Sequence, residues 1–136
     1  MKLQILGSGT STGVPEIGCI CAVCTSNDAR DKRLRTSALL HTDNEHILID
    51  CGPDFREQML RLDTFHKLDA VLLTHEHYDH VGGIDDLRPF CKFGEIPVVA
   101  DNYAATHLKE RMPYCFGENL YPGVPRIYLQ VATPGD

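Results

Sequence analysis

The sequence predicts an α/β fold in which a mixed β-sheet is flanked by helices. Three observations predict it: two β-type runs joined by a polar turn, an alternation of strand-like and helix-like segments after them, and the absence of an internal repeat. Strands joined by a short turn pair antiparallel, whereas strands separated by a helix pair in parallel. We expect one domain covering residues 1–136.

The first half of the chain contains three predicted strands. Leu3 to Leu6 begins the first, and residues 7–15, rich in Gly, Ser and Thr, are expected to form a loop after it. The next two strands, over residues 38–41 and 46–50, flank the polar stretch 42–45, which suits a hairpin loop.

The second half alternates strands with helices. Pro53 suits the first position of a helix, and Phe55, Met59 and Leu62 recur at the spacing of one helix face. The remaining predicted elements are a strand over residues 69–73, a helix that continues to about Phe90, a strand over 97–100, a helix capped by Asp101 or Asn102 that ends at Arg111, and a strand over 126–131.

The composition is that of a globular protein with an acidic balance. Hydrophobic residues make up 43% and charged residues 24% of the chain, which argues against disorder. With 13 Lys and Arg against 19 Asp and Glu, the net charge of −6 provides no broad positive field, so nucleic acid is not an expected partner. No apolar run is long enough for a signal peptide or a membrane span, which predicts a cytoplasmic protein.

The most informative motif is H-x-H-x-D-H, formed by His75, His77, Asp79 and His80 directly after a predicted strand. Imidazole and carboxylate groups concentrated at a strand end are typical of a metal site, and the alternative is a set of solvent-facing loop residues. We expect His75 and His77 to reach one ion while Asp79 and His80 reach a neighbouring ion. The zincin pattern H-E-x-x-H does not apply, because position 79 is Asp.

Asp50 ends a predicted strand, as the histidine motif follows one. It is either a turn residue bonded to local backbone or a carboxylate that orients the metal-binding histidines from behind. The single histidines His41, His46, His66 and His107 are expected to be surface or packing residues.

The chain resembles the metallo-β-lactamase superfamily, most of whose members are hydrolases. The resemblance rests on a strand that ends in Asp50, a helix after it, and then the segment L-L-T-H-E-H-Y-D-H-V-G-G. The resemblance implies half of an αββα sandwich. It also implies that His75 and His77 hold one metal ion, that Asp79 and His80 hold the other, and that Asp50 matches the aspartate of the first motif.

A second motif, C-x-C-x-x-C, is formed by Cys19, Cys21 and Cys24. Three thiolates at this spacing suit a tetrahedral zinc ion that takes a fourth ligand from elsewhere. The alternative is a redox pair of Cys21 and Cys24 beside a spare thiol. The other three cysteines, Cys51, Cys91 and Cys115, are assigned as buried or free thiols.

Within that superfamily, the chain resembles the phosphoribosyl cyclic phosphodiesterases of phosphonate breakdown. This resemblance rests on the segment L-G-S-G-T-S-T-G-V-P together with the cysteine turn. By this resemblance, Cys19, Cys21 and Cys24 hold a structural zinc, and the catalytic pair is Zn²⁺ or Mn²⁺. The implied reaction is attack of metal-bound hydroxide on a small cyclic phosphate ester, with Asp79 both ligating metal and orienting the nucleophile. No nucleotide cofactor is indicated, because the Gly-rich loop fits neither dinucleotide nor P-loop fingerprints.

The resemblance covers the first half of the superfamily's fold, so the sequence predicts a truncated form with about two ligands for each catalytic metal. A completing C-terminal half or a second copy in a homodimer would supply the rest, and the chain alone is expected to be weakly active or inactive.

Other functions are compatible with parts of the sequence. A transfer-RNA 3′-processing nuclease shares the opening loop and the histidine motif, and lactamases and thioesterases share the motif. From different classes, a non-catalytic zinc-stabilised interaction module would use only the cysteine turn, and a thiol oxidoreductase would depend on a lowered thiol pKa at Cys21 or Cys24.

Overall fold

A computed structural model describes residues 1–118 and 120–136 of the chain. It contains one β-sheet of six strands. The strands are β1 (Lys2–Gly7), β2 (Ser37–His41), β3 (His46–Ile49), β4 (Ala70–Leu72), β5 (Ile96–Ala100) and β6 (Ile127–Val131). All six coincide, within a residue or two at the ends, with strands predicted from the sequence.

Within residues 1–118 and 120–136, three α-helices and three 3₁₀ helices connect the strands. The α-helices are α1 (Phe55–Leu60), α2 (Tyr78–Val81) and α3 (Asn102–Arg111), and the 3₁₀ helices cover Ala29–Asp31, Ile84–Phe93 and Pro113–Cys115. Asp101 caps α3, because its side chain accepts a hydrogen bond from the Ala104 backbone N–H at 2.7 Å. Within the described residues, no helix has the length and apolar character needed to cross a membrane. The cytoplasmic location stays a prediction.

The sheet is mixed, as predicted. β1, β2 and β3 pair antiparallel, whereas β3, β4, β5 and β6 pair in parallel. It follows that β1 runs in the same direction as β3 and its parallel neighbours. The carboxyl ends of five strands therefore meet at one edge of the sheet, and the loops after β1, β3 and β4 lie along that edge.

One face of the sheet carries the core. Side chains that alternate along the inner strands, among them Leu39, Leu48, Val71 and Val98, are at most 1% exposed. They share one buried cluster with side chains of the helical segments: Phe55, Ile84, Leu87, Phe90, Ala104 and Leu108. Right-handed crossovers between parallel strands in sequential order place the connecting helices on the same face, which explains this single layer.

The opposite face of the sheet is apolar and only partly covered. The second set of alternating side chains forms it, and several of them are exposed: Leu3, Ile5, Leu72 and Tyr128. Strand register aligns Ile5, Ala38, Ile49 and Leu72 in one row across four strands. A sheet with helices on one face and apolar side chains on the other is one half of a sandwich.

Two predicted helix boundaries were wrong. The helix expected from the histidine motif to Phe90 is α2 followed by a 3₁₀ helix, because Gly82 and Gly83 interrupt it. Pro53 does not occupy the first helical position, since α1 begins at Phe55 with Asp54 as its N-cap residue.

Candidate metal centre

The histidine motif and Asp50 lie next to each other at the carboxyl edge of the sheet. Asp50 follows β3, and the motif begins three residues after β4, the parallel neighbour of β3. Because parallel neighbours end at the same edge, two segments distant in sequence deliver their polar side chains to one place.

Asp50 is buried, and its carboxylate accepts hydrogen bonds from neighbouring groups. Its side chain is 3% exposed and accepts hydrogen bonds from the Thr74 backbone N–H at 2.8 Å and from the Thr74 hydroxyl. Its φ is +60°, in the left-handed region that Asp and Asn adopt more readily than other non-glycine residues. The backbone turn aims the carboxylate at the histidine motif.

His80 connects two carboxylates. Its Nδ1 lies 2.7 Å from Oδ2 of Asp50, and its Nε2 lies 3.0 Å from Oδ2 of Asp79. A carboxylate on one ring nitrogen fixes the ring and leaves the other nitrogen for a metal ion. Donor atoms that share a zinc ion at about 2.0–2.2 Å lie roughly 3 to 3.5 Å apart, so the Asp79 and His80 atoms fit one ion.

His75 and His77 form the second half of the motif. Their ring centroids are 4.7 Å apart, and the His75 ring lies 4.0 Å from that of His80. The His77 side chain is 66% exposed, whereas that of His80 is 16% exposed. No three of these donors lie within 4.8 Å of one another in the described part of the chain.

Close backbone contacts lock the Asp50 turn against the motif. The Cys51 N–H donates to the His80 carbonyl at 2.8 Å, and the Gly83 N–H donates to the Cys51 carbonyl at 2.9 Å. A Cβ on Gly52 would lie 2.1 Å from the Asp79 carbonyl oxygen, so no side chain fits there. This role of Gly52 was not predicted from the sequence, although glycines next to both motifs were the available signal.

Arg111 makes a further contact with the motif that was not predicted from the sequence. Its guanidinium, at the end of α3, donates to the backbone carbonyl of Glu76, between His75 and His77. The contact spans 35 residues, and nothing in the local sequence of α3 predicts it. It ties a helix of the core layer to the exposed part of the motif.

The three cysteines of the N-terminal turn converge. Their Sγ atoms all lie within 4.8 Å of one another, and the turn is partly exposed. The Cys24 backbone N–H donates to Sγ of Cys21 at 3.5 Å, and this bond is the largest effect that lowers the pKa of Cys21 to about 7. The backbone bond at Cys21 lowers the pKa of Cys19, but side-chain bonds to Cys21 and Cys24 outweigh it and leave that pKa raised. Three Sγ atoms that converge in this way fit a tetrahedral zinc ion that takes a fourth ligand from elsewhere.

The remaining cysteines are buried. Cys51 stands beside Asp50, and burial, followed by the charges of Asp86 and Asp50, raises its pKa well above the ordinary value. Its surroundings therefore favour the neutral thiol over the thiolate. Cys91 and Cys115 are buried residues of the 3₁₀ helices Ile84–Phe93 and Pro113–Cys115.

The single histidines lie outside the motif. His41, His46 and His66 form a row at the opposite edge of the sheet, with ring centroids 5.1 Å and 4.4 Å apart. His107 is on α3, where its Nδ1 lies 2.9 Å from the Tyr103 carbonyl oxygen.

Comparison with known proteins identifies the family. The sequence model described as "Beta-lactamase superfamily domain" matches residues 45–134, which include β3, β4 and the histidine motif. The chain belongs to the β-lactamase superfamily. Proteins with this metallo-β-lactamase fold are mostly metal-dependent hydrolases, and the half-sandwich architecture agrees with that fold.

Solved structures of superfamily members resemble this one. A diphosphatase from the PhnP family is 41% identical with a TM-score of 0.85, covering 96% of this chain and 50% of that one. Zn²⁺-bound PqqB from Methylobacterium extorquens has a TM-score of 0.75 at 24% identity, over 96% of this chain and 46% of the other. At that identity the second likeness concerns the fold alone.

Curated relatives of this superfamily member are longer. The chain is 34% identical over 99% of its length to coenzyme PQQ synthesis protein B of Methylorubrum extorquens, of which the match covers 53%. It is 53% identical over 98% of its length to a Porphyromonas gingivalis protein named octanoyltransferase, of which it covers 27%. The chain thus spans about a quarter to a half of these relatives, and the octanoyltransferase name describes a much larger protein.

Proposed function

We propose that this protein is a di-metal phosphodiesterase that hydrolyses a small cyclic phosphate ester. The chain of contacts from Asp50 through His80 to Asp79 carries the proposal, because it prepares a histidine and a carboxylate for one metal ion. The cysteine turn and the likeness to a PhnP-family diphosphatase support phosphate chemistry over the lactam or thioester chemistry of other superfamily members.

The residues divide into two ligand pairs. His75 and His77 would hold one ion, Asp79 and His80 would hold the other, and both ions would be Zn²⁺ or Mn²⁺. When bound, two neighbouring metal ions lower the pKa of a water molecule toward neutrality and stabilise charge on phosphate oxygens. Cys19, Cys21 and Cys24 would hold a separate structural Zn²⁺ with a fourth ligand from elsewhere.

The chain's own groups prepare this chemistry. Asp50 accepts the Nδ1 proton of His80, which leaves the Nε2 lone pair for the metal. Asp79 also offers a carboxylate oxygen that accepts a hydrogen bond from the attacking water. The buried position of Asp50 keeps the His80 ring in one orientation, so little conformational entropy of this side chain is lost when a metal ion binds.

Each ligand pair needs completion. A catalytic zinc ion takes about three protein ligands and a water molecule, whereas each pair here provides two. The missing ligands and the proton donor for the leaving group would come from a completing C-terminal half or from a second copy of the chain. The apolar sheet face is where either would pack. The other proposed partner is the small phosphodiester, with no role for membrane or nucleic acid.

Hydrolysis of a diphosphate bond is the second candidate. The observation that favours it is the 41% identity, over 96% of this chain, to a PhnP-family diphosphatase. The same ligand pairs would serve, because both reactions displace an oxygen leaving group from phosphorus.

The test is hydrolysis by the whole gene product, purified with Zn²⁺ or Mn²⁺. The substrates are a ribose cyclic phosphate, a diphosphate-linked nucleotide, a β-lactam, a thioester and a precursor transfer RNA. We expect turnover of the cyclic phosphate, loss of that turnover in His77→Ala and Asp79→Asn, and retention in the matched variant His107→Ala. Turnover of the diphosphate alone would favour the second candidate, and turnover of neither phosphate compound would refute both.

A further inference from the structure

A basic groove lies beside β1, at the same edge of the sheet as the metal centre. Its volume is about 300 Å³, and its lining includes four cationic side chains and no carboxylate: Arg30, Lys32, Arg33 and Arg61. Gly7 and Ser8, at the carboxyl end of β1, form its floor.

The groove is a local exception in an acidic protein. The other nine Lys and Arg residues stand against nineteen Asp and Glu, so the rest of the chain has a formal charge of −10. A nucleic acid needs an extended positive stripe along its backbone. A compact cationic cavity surrounded by negative charge instead selects a small anion.

Two of the four cations bond only to neutral oxygens among the described residues. Arg33 Nη1 lies 3.3 Å from the Ser8 hydroxyl, and Lys32 Nζ lies 2.5 Å from the Ser26 carbonyl. The other two form ion pairs, Arg30 with Asp28 at 2.6 Å and Arg61 with Glu57 at 3.0 Å. Lys32 and Arg33 therefore hold the positive charge that a ligand can neutralise.

We propose that the basic groove binds a diphosphate group through Lys32 and Arg33. Assigning that diphosphate to the substrate rests on the proposed function, whereas binding does not. β1 and β4 are three strand positions apart at about 4.8 Å each, so groove and metal motif are separated by roughly 14 Å. The substrate is then an elongated phosphoester, with its reacting phosphate at the metal centre and a diphosphate at its other end.

The first test is calorimetric binding of inorganic pyrophosphate. The measurement uses a His75→Ala/His77→Ala background, so that pyrophosphate held by metal ions at the motif does not contribute. We expect Lys32→Gln/Arg33→Gln to weaken binding about tenfold or more, the scale of lost charge-assisted hydrogen bonds. Arg56→Gln/Lys109→Gln removes the same charge from exposed helix positions and is expected to change binding less than about twofold.

The proposal is overturned if both double variants lose pyrophosphate binding equally, or if neither variant loses it. So does a single-stranded RNA oligonucleotide that binds through Lys32 and Arg33 when pyrophosphate does not. These outcomes say nothing against hydrolysis at the metal centre. Conversely, the protein could bind pyrophosphate through Lys32 and Arg33 and yet hydrolyse no phosphoester. That result overturns the proposed function and supports the proposal for the basic groove.

The link to substrate has its own readout. With the metal centre intact, Lys32→Gln/Arg33→Gln is expected to raise KM about tenfold for a phosphodiester that carries a terminal diphosphate, with kcat unchanged. KM for the same ester without the diphosphate should not change. A rise in KM for both esters would refute the assignment to the substrate.

Discussion

Nδ1 of His80 lies 2.7 Å from Oδ2 of Asp50, a residue 30 positions earlier in the chain. The contact joins the segments that follow two neighbouring parallel strands, β3 and β4, and the side chains of His80 and Asp50 are only 16% and 3% exposed. A buried histidine–carboxylate bond of this kind fixes which ring nitrogen faces a metal ion. Metal binding at Asp79 and His80 should therefore depend on a residue that touches no metal.

Asp50→Asn tests that dependence. The substitution keeps the size of the side chain and suits the positive φ, but it removes the charge that accepts the His80 proton. We expect metal affinity at the motif to fall about 10- to 100-fold, the usual effect of losing such a partner. Competition with a chromophoric chelator measures it. Asp63→Asn, at an exposed position, is the control, and equal affinities in the two variants would contradict the role given to Asp50.

Gly52→Ala tests the fit between the Asp50 turn and the motif. The added methyl would lie 2.1 Å from the Asp79 carbonyl oxygen, so the two loops must separate. We expect a loss of about 1–3 kcal/mol in the free energy of unfolding, typical of overpacking, together with weaker metal binding.

Gly94→Ala is the comparison for Gly52→Ala, because its Cβ meets open space and its cost comes from a φ of +117°. It should lower the free energy of unfolding and leave metal affinity unchanged. Unchanged metal affinity in Gly52→Ala would show that the loop contact does not position Asp79. Urea unfolding and chelator competition provide the two readouts.

Cys21→Ser tests whether the cysteine turn and the histidine motif bind metal separately. Replacing one of three converging thiols should remove one equivalent of zinc from the purified protein, because serine is a poor zinc ligand. His77→Ala should keep that equivalent. Elemental analysis of both variants decides the point, and a Cys21→Ser protein with full zinc content would contradict a zinc site at the turn.

His41 should make stability depend on pH. Burial is the largest effect that lowers its pKa below 6.5, and positive charge on His46, Lys2 and His66 lowers it further. Since the unfolded chain then binds the proton more tightly, the stabilisation is complete above pH 6.5 and is lost as the pH falls through and below that value.

His41→Gln removes this titration. The urea concentration at the unfolding midpoint should therefore fall less in this variant than in the unmodified protein when the pH is lowered from about 7.5 to about 5.5, a range that brackets the ordinary histidine pKa. His107→Gln, on α3, serves as the matched control and should retain the original dependence. A His41→Gln protein with the same pH dependence as the unmodified chain would refute the assignment.

The strands could be predicted because their signals are local. Alternating apolar residues and the polar turn over residues 42–45 lie within a few positions of each other, and so do Asp101 and the helix that it caps. Gly82 and Gly83, which break the predicted helix, are also a local signal. The need for glycine at position 83 is not local, because the carbonyl oxygen of Gly52 lies where a Cβ on Gly83 would be.

The same distinction applies to the candidate site. Residue type and spacing single out His75, His77, Asp79 and His80 as metal ligands, which stays a prediction. The contact of Arg111 with Glu76 arises only when distant segments meet. The positive charge beside β1 is partly local, because Arg30, Lys32 and Arg33 lie within four positions, and Arg61 joins them from a distant segment. The net charge of the whole chain concealed this positive charge, because an average over 136 residues does not show where the cations lie.

The order of strands in the sheet is the order in the sequence, from β1 to β6. Each strand after β1 therefore pairs with one that has already been synthesised. Such sequential pairing lets the sheet grow in chain order and suits folding during translation. The growing edge of the sheet advances as the polypeptide leaves the ribosome, and Asp50 and His80 meet as soon as β4 and α2 have been added.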